Sequence, residues 1–243
     1  MPGSTDSGIF ICRLAIICLR KRNLSMAKVY FRYSSMNAGK STNLIQTSYN
    51  YIERGMQTLI LKPAIDDREG GHAEIHSRIG ISAECRIIST EDDLYKIVDA
   101  ERLKYWKYEE DGLPSTSMVR EMVPSKSKKG KLACVLVDEA QFLTPLQVEQ
   151  LCAVADSQDI AVICAGLRTD SNGELFPGSE KLLAWADKIE EVKTICHCGS
   201  KATFVLRIAE DGTIIRGGEQ VCIGGNDRYV SVCRRHFKAG ICN

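Results

Sequence analysis

The sequence has no excess of either charge. Its 32 Lys and Arg stand against 31 Asp and Glu, a formal net charge of +1, so no long-range field draws the chain to nucleic acid or to an anionic membrane. It also lacks a stripe of interleaved aromatic and basic residues of the kind that tracks single strands. Long hydrophobic runs are missing too. The apolar stretch at residues 9–19 is too short to cross a bilayer and is broken by Arg13. Its basic cluster, Arg20, Lys21 and Arg22, follows it, where a secretory signal carries its charges in front. No internal repeat is present. At 243 residues, two large domains do not fit; one α/β domain with a small appendage does. A small anion gripped locally suits this balance better than a polyanion.

Cysteine, by contrast, is plentiful. There are eleven, an odd number, and Cys134 and Cys164 lie inside apolar runs. That usage describes reduced core thiols in a cytoplasmic chain rather than a disulfide framework. Only the C-terminal cysteines have the spacing of metal ligands.

Residues 1–27 are expected to be a leader outside the folded protein: a disordered segment, a presequence, or translation from upstream of a start at Met26. Beyond it, residues 29–33 read as a buried strand and 41–55 as a helix that Gly55 closes, with Leu44, Ile45, Tyr49 and Ile52 on its buried face. Residues 58–61 form the next strand. Strand, loop, helix and strand within about thirty residues make a βαβ unit, and the apolar runs 134–137 and 160–164 add central strands. The expected fold class is therefore α/β, a parallel sheet flanked by helices. Its main domain spans 28–192 and a small subdomain 193–243. Residues 100–131 change character and read as a surface insertion. The run Lys126, Lys128, Lys129 and Lys131 within it fits a solvated loop more simply than a nucleic-acid patch.

Between the first strand and the first helix lies Ser34-Ser35-Met36-Asn37-Ala38-Gly39-Lys40-Ser41-Thr42. The segment matches G-x-x-x-x-G-K-[ST] at its last three defined positions, with Ser34 in place of the first glycine. A loop that leaves a strand and opens a helix aims backbone N–H groups at one point, where phosphate oxygens sit. Lys40 is then expected to bridge the β- and γ-phosphates of ATP. Ser41 is expected to ligate Mg²⁺, with Thr42 one residue too far along.

The apolar run 134–137 ends in Asp138 and Glu139, and strand C-termini are where open α/β sheets bind ligands. Period-two alternation is expected to send the two acids to opposite sides. Asp138 then goes to the metal, and Glu139 becomes the base that takes a proton from an attacking hydroxyl. With water as nucleophile the same pair serves an ATPase, so these motifs leave kinase and ATPase both open.

Near the C-terminus, Cys196 and Cys198 are followed after 34 residues by Cys233 and His236. Together they make a Cys₃His set for a closed, structural zinc site. His197 reads as a solvated spacer, or as a substitute ligand where the C-x-C geometry fails, and Cys222 as a packing residue. The intervening loop, residues 217–229, is glycine-rich and ends on Tyr229, a design that suits closure over a flat ligand.

Four ordered motifs carry a resemblance. They are Met36-Asn37-Ala38-Gly39-Lys40-Ser41-Thr42, Val137-Asp138-Glu139-Ala140-Gln141-Phe142, Gly166-Leu167-Arg168-Thr169-Asp170 and Gly224-Gly225-Asn226-Asp227-Arg228-Tyr229. From about Lys28 to Lys238 the chain resembles the cytosolic-type thymidine kinase family in its bacterial form. The resemblance implies a phosphate-loop domain, a zinc-bearing lobe with a lasso over the nucleoside, and transfer of the ATP γ-phosphoryl group to the 5′-hydroxyl of thymidine, with deoxyuridine as second acceptor. It also implies a homotetramer acting without nucleic acid or membrane. By the same matching, Glu139 is the catalytic acid and Arg68 stabilises transferring charge. Ser34 to Ser41 and Asp138, Glu139, Ala140 and Gln141 line the nucleotide side. Met36, Phe142, Leu167, Phe176 and Tyr229 line the nucleoside pocket, and Cys196, Cys198, Cys233 and His236 hold zinc. The main rival is a zinc-containing, phosphate-loop, nucleic-acid-dependent ATPase, for which the lysine run and the cysteines speak. A catalytically silent protein keeping the fold is a third reading.

Overall fold

In the central strands Val, Ile, Leu and Cys follow one another without polar alternation, the pattern of strands covered on both faces. In the computed structural model, which describes residues 27–64, 73–105, 130–217 and 229–242, these runs form a six-stranded parallel sheet in the order β5-β2-β6-β7-β1-β8. The strands are β1 (Val29–Ser34), β2 (Gln57–Pro63), β5 (Arg86–Ile88), β6 (Leu132–Val137), β7 (Ala161–Leu167) and β8 (Lys188–Glu191). A small hairpin, β3 (Glu74–His76) and β4 (Ser82–Glu84), stands beside the sheet.

Alternation along β6 and β7 divides the core into two layers. Val135, Val137, Val162 and Cys164 face one layer, packed under α2 (Leu94–Lys104), α3 (Pro145–Gln158) and α4 (Pro177–Trp185). Cys134, Leu136, Ile163 and Ala165 face the other, with Leu44 and Ile45 of α1 (Lys40–Glu53) and Ile75 of the hairpin. Cys134 and Cys164 are thus buried free thiols, as their apolar neighbours predict. Burial pushes the Cys134 thiol up to about 12, which keeps it inert.

The buried face of α1 differs from the sequence expectation. Leu44, Ile45 and Ser48 are buried, whereas Tyr49 is 59% and Ile52 51% exposed. At 100° per residue, Tyr49 falls about 140° round from Leu44 and leaves the covered arc. Ile52 lies in the last turn. Ser48 takes the central position instead, because its hydroxyl has a partner in Thr58 at 2.6 Å. Residues 100–105, within the span read as an insertion, complete α2 and its C-cap. Gly130 and Lys131 at the other end are tied by backbone hydrogen bonds to Gly55 and Gln57.

The C-terminal lobe is antiparallel. A hairpin of β9 (Thr194–Ile195) and β10 (Lys201–Ala202) precedes a sheet ordered β12-β11-β13, made of β11 (Phe204–Ile208), β12 (Ile214–Ile215) and β13 (Tyr229–Val232). Helix α5 (Arg234–Ala239) packs Phe237 onto Cys196, Ala202, Leu206 and Val232. Among the described residues no helix is long and apolar enough to cross a membrane. The leader, Arg68, most of the expected insertion and the glycine-rich loop from 218 to 228 lie outside the described residues.

Candidate active site

The segment from Ser34 to Ser41 joins the C-terminal end of β1 to the start of α1. Asn37 and Gly39 take left-handed backbone, with φ of 65° and 80°. The alternation of hand turns successive N–H groups inward, as in anion-binding nests. Gly39 is the N-cap of α1 but supplies no capping side chain, and no acid stands in the first turn. The N-terminus of α3 shows the contrast: Thr144 and Gln147 close a reciprocal capping box there. One helix start is capped by its own side chains, and the other is not.

Lys40 lies across this loop, its Nζ donating to Ser34 Oγ at 3.1 Å and to the Ser35 carbonyl at 3.3 Å. Burial lowers its pKa, and the charges of Glu139 and Asp138 oppose that shift. Ser34, standing where the pattern has glycine, thereby gains a use: its hydroxyl steadies the lysine head. Thr42 is engaged elsewhere, 2.5 Å from Ser77 Oγ.

Asp138 and Glu139 follow β6 directly. Asp138 is 3% exposed, and its Oδ2 accepts a 2.7 Å hydrogen bond from Ser41 Oγ. Burial, and next the charge of Glu139, raise its pKa to about 6, while the Ser41 bond and Lys40 pull it down. Two oxygens 2.7 Å apart are close to the edge of an Mg²⁺ octahedron, about 3 Å for bonds of 2.0–2.1 Å, so the pair fits that ion.

The acids do serve different partners, though strand alternation is not the reason. The strand ends at Val137, and Glu139 adopts left-handed backbone at φ 50°. For a non-glycine residue that conformation costs on the order of 1 kcal/mol and persists only when its surroundings impose it. Here the backbone is held on both sides, its N–H donating to Asp138 Oδ1 at 3.1 Å and its carbonyl accepting from Phe142 N–H at 3.1 Å, while its carboxylate Oε2 accepts from Gln141 Nε2 at 2.6 Å.

Of the pocket residues expected from sequence, Phe142 and Phe176 meet edge to face, with ring centroids 5.7 Å apart. Leu167 ends β7 and donates its N–H to Gln141 Oε1 at 2.9 Å, beside the same turn. Met36 and Tyr229 belong to the phosphate loop and the start of β13. Those two segments are joined by a 2.7 Å hydrogen bond from Ser231 Oγ to the Met36 carbonyl.

The ligand atoms of Cys196, Cys198, Cys233 and His236 all lie within 4.8 Å of one another. Cys198 and Cys233 Sγ are 4.0 Å apart, and Cys196 Sγ is 3.3 Å from His236 Nδ1. A tetrahedral site with zinc–sulfur bonds of about 2.3 Å has edges of roughly 3.8 Å, so the set fits the metal. His197 is more than a spacer: its ring stacks on His236 at 4.3 Å.

The sequence matches known proteins over nearly all of this architecture. A family model described as thymidine kinase matches residues 27–110 and 107–237. A thymidine kinase of Rhodopirellula baltica is 54% identical over 216 residues, 89% of this chain and 90% of the relative. Thymidine kinases of Mannheimia succiniciproducens and Shewanella oneidensis are 52% and 50% identical over 213 residues each, 88% of this chain and 96% and 97% of theirs. The chain belongs to the thymidine kinase family.

Within this thymidine kinase family member, two residues matter that sequence reasoning passed over, although both stand in a quoted motif. The Arg168 guanidinium packs over the rings of Tyr33 and Phe204, 5.5 and 5.8 Å from their centroids, and donates to the Thr203 carbonyl. It wedges the C-terminal lobe against the sheet. Asp170 is buried, and its Oδ1 accepts from the N–H groups of Asn172 and Glu174, both at 2.9 Å. That turn delivers Phe176 to Phe142.

Proposed function

We propose that the chain transfers the γ-phosphoryl group of ATP to the 5′-hydroxyl of thymidine, and more slowly to deoxyuridine, as its named relatives suggest. The observation that carries the reading is the convergence of Lys40, Ser41, Asp138 and Glu139, since Ser41 Oγ meets Asp138 Oδ2 while both acids act on the Lys40 ammonium. Ser34 to Ser41 cradle the phosphates, and Ala140 and Gln141 continue the wall begun by Asp138 and Glu139. Ser41 and Asp138 would hold Mg²⁺, which neutralises phosphate charge when bound. Glu139 accepts the 5′-hydroxyl proton as the new O–P bond forms and the old one breaks, its electron pair leaving with ADP. Arg68 is assigned to the charge that develops on the transferring group. Met36, Phe142, Leu167, Phe176 and Tyr229 enclose the nucleoside.

Residues 28–192 form the kinase domain in this reading. Residues 193–243 form a lasso subdomain pinned by zinc on Cys196, Cys198, Cys233 and His236, and residues 1–27 a leader. Assembly into homotetramers is supported by the exposed apolar side chains Tyr49 and Ile52 of α1, and the mass in solution tests it. The decisive assay offers ATP, Mg²⁺ and a panel of nucleosides. Thymidine is expected first and deoxyuridine second, with Glu139→Gln lowering kcat about 10²- to 10⁴-fold. ATP turnover stimulated by DNA, with no thymidine 5′-monophosphate formed, selects the rival ATPase instead.

A further inference from the structure

We propose that Gln141 is a positioning residue for the catalytic carboxylate, its amide holding Glu139 with one end and the backbone of the nucleoside pocket with the other. The inference rests on the reading of Glu139 as the base. Gln141 is 1% exposed, and both ends of its amide are engaged. Nε2 donates to Glu139 Oε2 at 2.6 Å, a short bond to a carboxylate, and Oε1 accepts from Leu167 N–H at 2.9 Å. The first contact spans two residues and the second spans 26. The clamp thus fixes the base relative to the strand that bears Leu167.

Two further observations show that the clamp is built rather than incidental. Glu139 sits in left-handed backbone at φ 50° and caps the short turn that carries Gln141, so the two side chains leave the same turn toward each other. Gly166, just before Leu167, leaves room for the amide: a Cβ there would lie 2.7 Å from Gln141 Oε1 and 2.9 Å from Gln141 N. Any side chain at 166 would expel the glutamine head. Packing alone does not call for an amide here, because Leu143 or Ala140 fills neighbouring buried positions without one.

The chemical consequence concerns which lone pair of Glu139 remains for the substrate. One carboxylate oxygen, Oε2, is committed to Gln141, which leaves Oε1 to receive the hydroxyl proton. Because the same amide grips Leu167, the distance between the base and the pocket wall is set by one rigid side chain rather than by two independent loops.

The test uses full-length protein carrying Gln141→Glu, which is isosteric and still accepts from Leu167 N–H but has no donor for Glu139. The expected result is a kcat lower by about 10- to 100-fold, the range for losing a hydrogen bond to a charged group, with the KM for thymidine changed less than about threefold. In a Glu139→Gln background the same substitution has little additional effect on residual turnover. Gln141→Met, similar in length with neither bond, reports the same kcat loss if the glutamate variant does not fold. Wild-type kcat in a folded Gln141 variant overturns the inference, as does a rise in the KM for thymidine as large as the loss in kcat, or fully multiplicative losses in the double variant. An undiminished Glu139→Gln enzyme overturns the underlying assignment of the base instead, so the two failures are distinguishable.

Discussion

Substituting Gly178 by alanine probes whether the pocket wall is held by backbone contact. Gly178 lies in the first turn of α4, against the turn at residues 140–142. A Cβ at this position would stand 2.7 Å from the carbonyl oxygens of Ala140 and Leu143 and 2.9 Å from that of Gln141. All three are backbone atoms, so no rotamer change relieves the contact, and roughly 0.7 Å of separation is needed to reach ordinary contact at 3.4 Å. Overpacking of this kind costs about 1–3 kcal/mol. The better helix propensity of alanine returns at most about 1 kcal/mol. With three backbone oxygens crowded, the cost falls in the upper part of that range, which leaves about 1–2 kcal/mol net; at about 2–4 °C per kcal/mol for a chain of this size, a fall of roughly 2–8 °C is expected in a thermal scan. The helix start also carries Ser179, whose Oγ donates to the Leu167 carbonyl at 2.6 Å, and follows Phe176, which meets Phe142. Displacement should therefore raise the KM for thymidine several-fold. A Tm within about 1 °C of wild type together with an unchanged thymidine KM would refute this account of the wall.

Two other predictions concern ionisation and metal. Asp138 has a folded pKa of about 6, above its ordinary 3.8, so the stability it contributes is full below the ordinary value and is lost as pH rises through about 6. Magnesium should therefore raise Tm more at about pH 7 than at about pH 5, and this difference should vanish in Asp138→Asn; equal magnesium effects at both pH values count against Asp138 as the metal residue. For the Cys₃His set, one zinc per chain is expected by elemental analysis, and chelation should open residues 207–228 to protease. Fully active protein with metal content near zero rules that site out.

The sheet was legible because its strands are apolar on both faces, and the phosphate loop because a strand and a helix flank Gly39-Lys40-Ser41. Side-chain commitments were harder to foresee. The face of α1 was misjudged at Tyr49 and Ile52, since periodicity weighs hydrophobicity and cannot see that Ser48 has a partner in Thr58. Alternation suggested separate duties for Asp138 and Glu139, yet their separation comes from a left-handed residue after the strand has ended. Nothing local in the sequence announces such a residue when it is not glycine or asparagine. Gln141, Arg168 and Asp170 act across gaps of 26, 35 and four residues respectively. The first two links exist only once the fold has brought their ends together. Asp170 alone had a local signal, an acid followed by Ser, Asn and Gly in a turn-forming run.

The bond from Ser231 to the Met36 carbonyl joins segments 195 residues apart. Ser231 lies two residues before Cys233, and Met36 lies in the middle of the phosphate loop. The C-terminal lobe is therefore a strut for the loop between β1 and α1. If the Cys₃His set is loosened, this strand is the route by which that loop would feel it, 195 residues away in the sequence.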